Sequence, residues 1–421
     1  MIVIKHIRIL FLSLFTSIFI FTFTHASETV LDIDINGVPI PADSAPLLSD
    51  ENSKFAGTWI GVWDGFLKTI LIVEAIEGDM AKVVYAVADN PRAGFKAAWF
   101  RLDAKISNNQ MTVSAERFQV HLTATKNETL RAVFGNGFSF GILHRQSLEQ
   151  LKQANKSVAW TNGNTDMLPV QLYEDGMQVQ LETVLFRPQG DGPFPLAVIN
   201  HGSTGSGRNA NAFNNTWINA WLADVLNENG YMVAFPQRRG RGYSTGLYDE
   251  GFHENRDEGY TCDSALSIAG ADRALDDLQA AVTALQKRDD ITADRVLLGG
   301  QSRGGALAIS FAGMHNKSIK GVINFVGGWS GELCKTAQEI NHNIFKRGGN
   351  YKGDTIWLYG QQDPFYSIEH SRSNFNAFKE AGGIGEFYEY KVRGQNNGHW
   401  LMFIPPLWQA QLEQYLSHMA R

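Results

Sequence analysis

Between residues 55 and 145 apolar and polar positions alternate in short runs. Gly57-Thr58-Trp59-Ile60-Gly61-Val62-Trp63 opens the series, and residues 69–73, 82–87, 97–102, 111–114, 121–125, 130–134 and 138–143 continue it. A period of two is the strand signature, and turn formers such as Glu77-Gly78-Asp79 and Ser107-Asn108-Asn109 separate the runs. The pattern predicts an antiparallel β domain over residues 53–146, closed as a small barrel or stacked as a sandwich. Trp59, Trp63 and Trp99 are expected to fill its core, with glycan or lipid binding by exposed aromatics as the alternative. From residue 167 the pattern changes. A hairpin turning at Asp175-Gly176 comes first. Apolar runs at 196–200, 232–235, 296–298, 321–326, 355–359 and 387–392 then alternate with stretches of helical spacing, such as Leu275, Leu278, Val282 and Leu285 or Trp408, Leu412 and Tyr415. Buried strands joined by helical crossovers predict an α/β unit over residues 167–421 with a mostly parallel sheet. The polar stretch 147–166 reads as a linker.

Composition modifies this picture in three ways. Lys5 and Arg8 precede an apolar run over residues 9–23, followed by Thr24-His25-Ala26. A basic start, a short apolar middle and small residues at a cleavage point predict a signal peptide over residues 1–26, hence export to a periplasm or the exterior; the alternative is a retained anchor. Without those residues 35 basic side chains face 43 acidic ones, and the formal charge moves from −6 to −8. An acidic chain lacking a basic stripe suits neither nucleic acid nor an anionic membrane surface, and no later run is long enough to span a bilayer. Finally, Cys262 and Cys334 are the only cysteines. In an exported chain such a pair predicts a disulfide, the alternative being two separate buried thiols.

The chemistry concentrates around Gly300-Gln301-Ser302-Arg303-Gly304. An apolar strand precedes this pentapeptide and a small-residue helix, Gly305 to Ala312, follows it. That setting predicts a tight turn that exposes Ser302 as a nucleophile. A serine hydroxyl needs a base to take its proton and a carboxylate to hold that base. Asp363 follows the run 355–359, and His399 follows the next run, in Gly398-His399-Trp400. Both are therefore expected on the sheet edge where Ser302 emerges. For the oxyanion, the expected donors are the backbone N–H of Arg303 and that of Ser203, with Gly202 as the alternative. His201 is expected to hold the loop rather than carry protons. His201, Tyr243, Trp329 and Trp400 are candidate pocket residues, with Ser330 and Glu332 beside them.

Residues 245–263 form an insertion rich in acids: Asp249, Glu250, Glu254, Asp257 and Glu258. It is expected either to wall the pocket and select a cationic group or to be a solvated loop pinned by Cys262. Arg238, Arg239 and Arg241 are expected to pair with these acids, a substrate carboxylate being the alternative partner. No metal-ligand spacing and no dinucleotide or phosphate loop is present, so neither metal nor cofactor is expected.

Residues 167–421 resemble the α/β-hydrolase superfamily, and most closely its dienelactone-hydrolase and prolyl-oligopeptidase-like branches. The resemblance rests on His201-Gly202-Ser203, on Arg239-Gly240-Arg241-Gly242-Tyr243-Ser244, on the serine turn, and on Asp363 and His399. It implies an α/β-hydrolase fold and a serine hydrolase acting on a small-molecule or acylated ester through a Ser302–His399–Asp363 triad and an acyl-enzyme, which the signal peptide would export. Dienelactone hydrolases proper carry a cysteine nucleophile, so lactone chemistry is not implied. A peptidase of prolyl-oligopeptidase type is one alternative, although residues 55–145 are too few and too unrepeated for the propeller such enzymes carry. A glycan- or lipid-binding protein on a hydrolase scaffold is the other.

Overall fold

The computed structural model describes residues 33–48, 54–91, 96–135, 137–154, 158–315, 317–394 and 397–419. The expected signal peptide lies outside these residues. A short hairpin comes first, β1 (Ile33–Ile35) and β2 (Val38–Ile40). It turns at Asn36-Gly37, both at positive φ, a pairing that matches the twist of hairpin strands.

Eight strands follow: β3 (Gly57–Trp63), β4 (Leu67–Glu77), β5 (Met80–Val87), β6 (Ala98–Ser107), β7 (Gln110–Ala115), β8 (Phe118–Ala124), β9 (Thr129–Phe134) and β10 (Phe140–Arg145). Each pairs antiparallel with the next, and β10 returns to pair with β3, so the meander closes as a barrel rather than stacking as a sandwich. Alternation sorts the side chains. Trp59, Trp63, Leu71, Val73, Tyr85, Met111 and Leu122 belong to the buried interior cluster, where the Trp63 indole N–H donates to the Tyr85 hydroxyl at 2.9 Å. Trp99 belongs elsewhere. It packs with Ile60, Ile70 and Ile72 in a separate cluster closed by Ile35, Val38 and Ile40 of the first hairpin. Within the stretch read as a linker, helix α1 (Leu148–Ala154) adds Leu148 and Leu151 to that cluster.

The larger sheet contains β11 (Asn164–Glu174), β12 (Met177–Phe186), β13 (Phe194–Asn200), β14 (Met232–Pro236), β15 (Ile291–Gln301), β16 (Ile319–Phe325), β17 (Thr355–Gly360) and β18 (Glu386–Tyr390). Their order is β11-β12-β14-β13-β15-β16-β17-β18. The sheet is mixed: β12 runs antiparallel to both neighbours, and the strands from β14 onward pair parallel. Asp175 and Gly176 make the β11–β12 turn, again both at positive φ. Six further helices pack on this sheet: α2 (Ala220–Glu228), α3 (Ser264–Leu285), α4 (Arg303–Met314), α5 (Ala337–Arg347), α6 (Ile368–Glu380) and α7 (Pro405–Met419). α3 to α6 contact one another in succession, and α2 contacts α7. Among the described residues no helix is long and apolar enough to cross a membrane.

The barrel docks on α2. Phe140 and Ile142, facing out from β10, join the apolar core of the larger sheet, and Phe140 meets the Trp221 ring edge-on at 5.7 Å. Arg131 of β9 donates to Asp224 and to Glu228, each at 2.7 Å, and Thr129 donates to Asp224 at 2.6 Å. At the start of the same helix Asn219 caps the Leu222 N–H and donates to the Met402 carbonyl, so α2 also braces the turn that carries His399.

Candidate active site

β15 delivers Ser302 and α4 begins at the following residue. Ser302 has φ 56° and ψ −122°, a conformation that costs an L-residue about 1–3 kcal/mol. Its surroundings impose that conformation. The Ser302 N–H donates to the Phe325 carbonyl at 3.0 Å, which ties the turn to β16. A side chain on Gly304 would overlap the Asn200 carbonyl at the end of β13, and one on Gly300 would overlap Gly304 itself. Glycine is required at both places because strand, turn and helix meet without room for a Cβ.

Asp363 follows β17, and His399 sits in a 3₁₀ turn after β18. The His399 Nδ1–H donates to Asp363 Oδ2 at 2.7 Å. The other carboxylate oxygen accepts from the N–H groups of Phe365 and Tyr366, at 2.8 and 3.1 Å. With Nδ1 donating, Nε2 is left as the basic nitrogen. Close backbone approach makes this pair possible: a Cβ on Gly398 would lie 2.6 Å from the Asp363 nitrogen. Gln301, beside the serine, donates to the His399 carbonyl at 3.0 Å and links the two turns. Ser302 and His399 are 5% and 6% exposed and face one cleft. Among the described residues no hydrogen bond joins the Ser302 hydroxyl to His399, and such bonds commonly close only around substrate. The Tyr366 hydroxyl, pushed up by burial and pulled back by Ser302, stays protonated beside them.

The turn 201–205 follows β13. His201 is fully buried, its Nδ1–H donating to the Gly202 carbonyl at 2.8 Å while Nε2 accepts from the Arg238 N–H at 3.1 Å. Burial, then Arg238 and Arg241, hold its imidazole far below the ordinary range, so it stays neutral and structural. Ser203 is half-buried and lines the cleft, as do Gly202 and Arg303. The Arg303 N–H opens a helix and has no intrahelical acceptor. Its side chain points inward, with Nε donating to the Trp329 carbonyl and the guanidinium between the rings of Tyr260 and Trp329, at 3.8 and 4.5 Å.

The cleft measures about 440 Å³, within the usual range for small-molecule sites. Of the sequence candidates, Ser203, Ser302, Arg303, Trp329, Ser330, His399 and Trp400 line it. His201 and Tyr243 do not: the first is sealed beneath the turn and the second is 75% exposed elsewhere. Glu332 turns aside to accept from Ser367. Cys262 and Cys334 form a disulfide, Cα–Cα 5.4 Å, and both border the cleft. The insertion is therefore both wall and pinned loop, with Glu258, Tyr260 and Thr261 facing the cleft. Its acids do not act alike. Glu250, 2% exposed, pairs with Arg238, whereas Arg239 pairs with Asp277 of α3 instead. Arg241 lies over the Tyr248 ring. Sequence reading missed Tyr260, Phe365 and Tyr366. The last two stand directly after Asp363 and were findable there; nothing in the spacing of the insertion marks Tyr260 or separates Glu250 from its acidic neighbours.

Residues 181–384, just under half of the chain, match the model of the dienelactone hydrolase family. That span includes Ser302 and Asp363 and stops short of His399. A comparison with curated proteins gives no match. Among solved structures the chain is similar to Est1E from Butyrivibrio proteoclasticus with ferulic acid bound, at 17% identity over 59% of this chain and 98% of that one, TM-score 0.40. It is also similar to the Pyrococcus furiosus esterase Pf2001, at 16% identity over 61% and 90%, TM-score 0.41. For dipeptidyl peptidase 4 of Porphyromonas gingivalis the identity is 13% over 83% and 53%, TM-score 0.43. Over residues 181–384 the chain is thus similar to the dienelactone hydrolase family.

Proposed function

We propose that this protein is a serine hydrolase of carboxylic esters, exported after loss of residues 1–26. One observation carries the reading: an oriented His399–Asp363 pair, 2.7 Å apart, opens on the same cleft as a serine held in a strained strand-to-helix turn. Ser302 Oγ attacks the acyl carbon while His399 Nε2 takes its proton, and Asp363 stabilises the imidazolium. The oxyanion is met by the N–H groups of Arg303 and Ser203. The imidazolium then protonates the departing alkoxide, leaving the acyl group on Ser302. Water, deprotonated by His399, repeats the sequence and releases the acid. Leu333, Phe365 and Trp400, exposed at the rim, supply apolar surface for the acyl or alcohol portion.

Two measurements test this. A fluorophosphonate should label the wild type at Ser302 and leave Ser302→Ala unmodified. Hydrolysis of short p-nitrophenyl esters should exceed that of aminoacyl-proline amides, and Ser302→Ala should lower kcat by roughly six decades. Retention of most activity by that variant would refute the mechanism, and preference for the amides would reassign the enzyme as a peptidase.

A further inference from the structure

We infer that Glu250 is a positioning residue for the oxyanion hole, because its one buried carboxylate orders both backbone segments that carry the proposed donors. The inference rests on the ester-hydrolase reading above.

Glu250 is the hub of a buried network. Oε1 accepts from Arg238 Nε at 2.5 Å and Oε2 accepts from the Tyr248 hydroxyl at 2.9 Å. Its main-chain oxygen accepts from Arg303 Nη1 at 2.7 Å, and the same nitrogen lies 3.6 Å from Oε2. Burial pushes this carboxyl up, but Arg238, Arg303 and the Tyr248 hydroxyl outweigh it and keep Glu250 ionised.

One branch runs through Arg238, which donates from Nη1 to the His201 carbonyl at 3.0 Å and from its backbone to His201 Nε2. The other runs through two tyrosines. The Tyr248 and Tyr260 hydroxyls are 2.9 Å apart, and Tyr260 meets both the N–H and the hydroxyl of Thr204, at 3.1 and 2.9 Å. An ionised carboxylate only accepts, so every proton in this chain has a fixed direction. Tyr248 donates to Glu250, Tyr260 donates to Tyr248, and the Tyr260 oxygen is left to accept from Thr204. The two branches therefore grip His201 and Thr204, on either side of Gly202-Ser203. The Thr204 N–H is consumed in the process, which leaves the Ser203 N–H for the oxyanion. A third contact holds the Arg303 side chain, whose own N–H is the second donor. Donors fixed in advance need no reorganisation as charge develops, and two guanidinium groups against one carboxylate leave the cluster positive.

The test separates positioning from folding and from substrate contact. Tyr248→Phe and Tyr260→Phe delete one hydroxyl each and keep the rings. Tyr248 is buried and does not border the cleft, so it has no route to substrate. On p-nitrophenyl butyrate, kcat of both folded variants should fall by about tenfold or more with KM held within about twofold. Affinity for an alkyl trifluoromethyl ketone, whose hemiketal oxygen occupies the hole, should fall by a similar factor. Glu250→Gln should lose at least as much where circular dichroism shows it folded. Folded Tyr248→Phe with kcat and ketone affinity both within about twofold of wild type overturns the inference, as does a loss confined to KM. Failure of the wild type to label at Ser302 instead overturns the hydrolase reading on which it stands.

Discussion

At the scale of single residues, burial separates side chains that look alike in the sequence. Glu250 and Glu254 belong to one acidic run, yet only Glu250 is enclosed and partnered by two arginines. His399 and His201 both sit in strand-end turns beside glycine. One lines a cleft with its Nδ1 bonded to Asp363, whereas both nitrogens of the other are occupied by backbone groups, the Gly202 carbonyl and the Arg238 N–H. Burial also makes histidines report on acid. His144 of β10 is pushed down to about 4, with its bond to the Ala159 carbonyl offsetting burial only in part. Below about pH 6.5 the unfolded chain takes up a proton that the folded chain refuses, so stability falls with pH until about 4. Asp277, pushed up to about 6 by burial, acts in the opposite sense, so the histidine is best isolated by difference. Between pH 7 and pH 5 the wild type should lose about 2 kcal/mol more than His144→Gln, as measured by urea unfolding at each pH. Equal losses would mean that His144 titrates normally.

Elements explain how the cleft keeps its shape. The strand-to-helix turn at Ser302 was legible because strand, glycines and small-residue helix are contiguous, so local sterics write them into neighbouring positions. The insertion was not, because its fold depends on partners just after β14, on α3 and on α4. The Cys262–Cys334 bond ties this insertion, just before α3, to the loop just before α5 across 72 residues of chain. Cross-linking a loop of that size restricts the unfolded chain and stabilises by about 2–4 kcal/mol. The double variant Cys262→Ser/Cys334→Ser should lose about that much in guanidinium unfolding, and reductant should reproduce the loss in the wild type but not in the variant. Both cysteines border the cleft, so KM for p-nitrophenyl esters should rise as well.

For the whole molecule, the question is what the barrel contributes. Its interior is filled with side chains, and its outer face rather than its lumen meets the other unit. The contact centres on Asp224, whose carboxyl burial pushes up against the opposing pull of Arg131. Asp224 is 3% exposed, so removing its partner strands a buried acid. Arg131→Ala should cost about 3–5 kcal/mol, whereas Asp224→Asn/Arg131→Met should recover much of that, both read from denaturant midpoints. Because α2 also supports the turn of His399 through Asn219 and Met402, the Arg131→Ala protein should show a lower kcat even where it is folded. Unchanged kcat would limit the barrel to stability.

Periodicity and turn chemistry in the sequence determined the eight-strand meander, the parallel-rich sheet and the places of Ser302, Asp363 and His399. Those features follow from steric preferences within a few residues, and chain order carries them. The first hairpin was legible in the same way, through Asn36-Gly37, and went unread. Tertiary structure alone decided that the meander closes, that Trp99 packs outside it, and that Tyr243 stays out of the cleft. It also chose one acid of five, Glu250, for burial beside the turn 201–205. Burial and charge pairing are properties of three-dimensional neighbours, and neighbours far apart in sequence leave no local pattern for a reader to find.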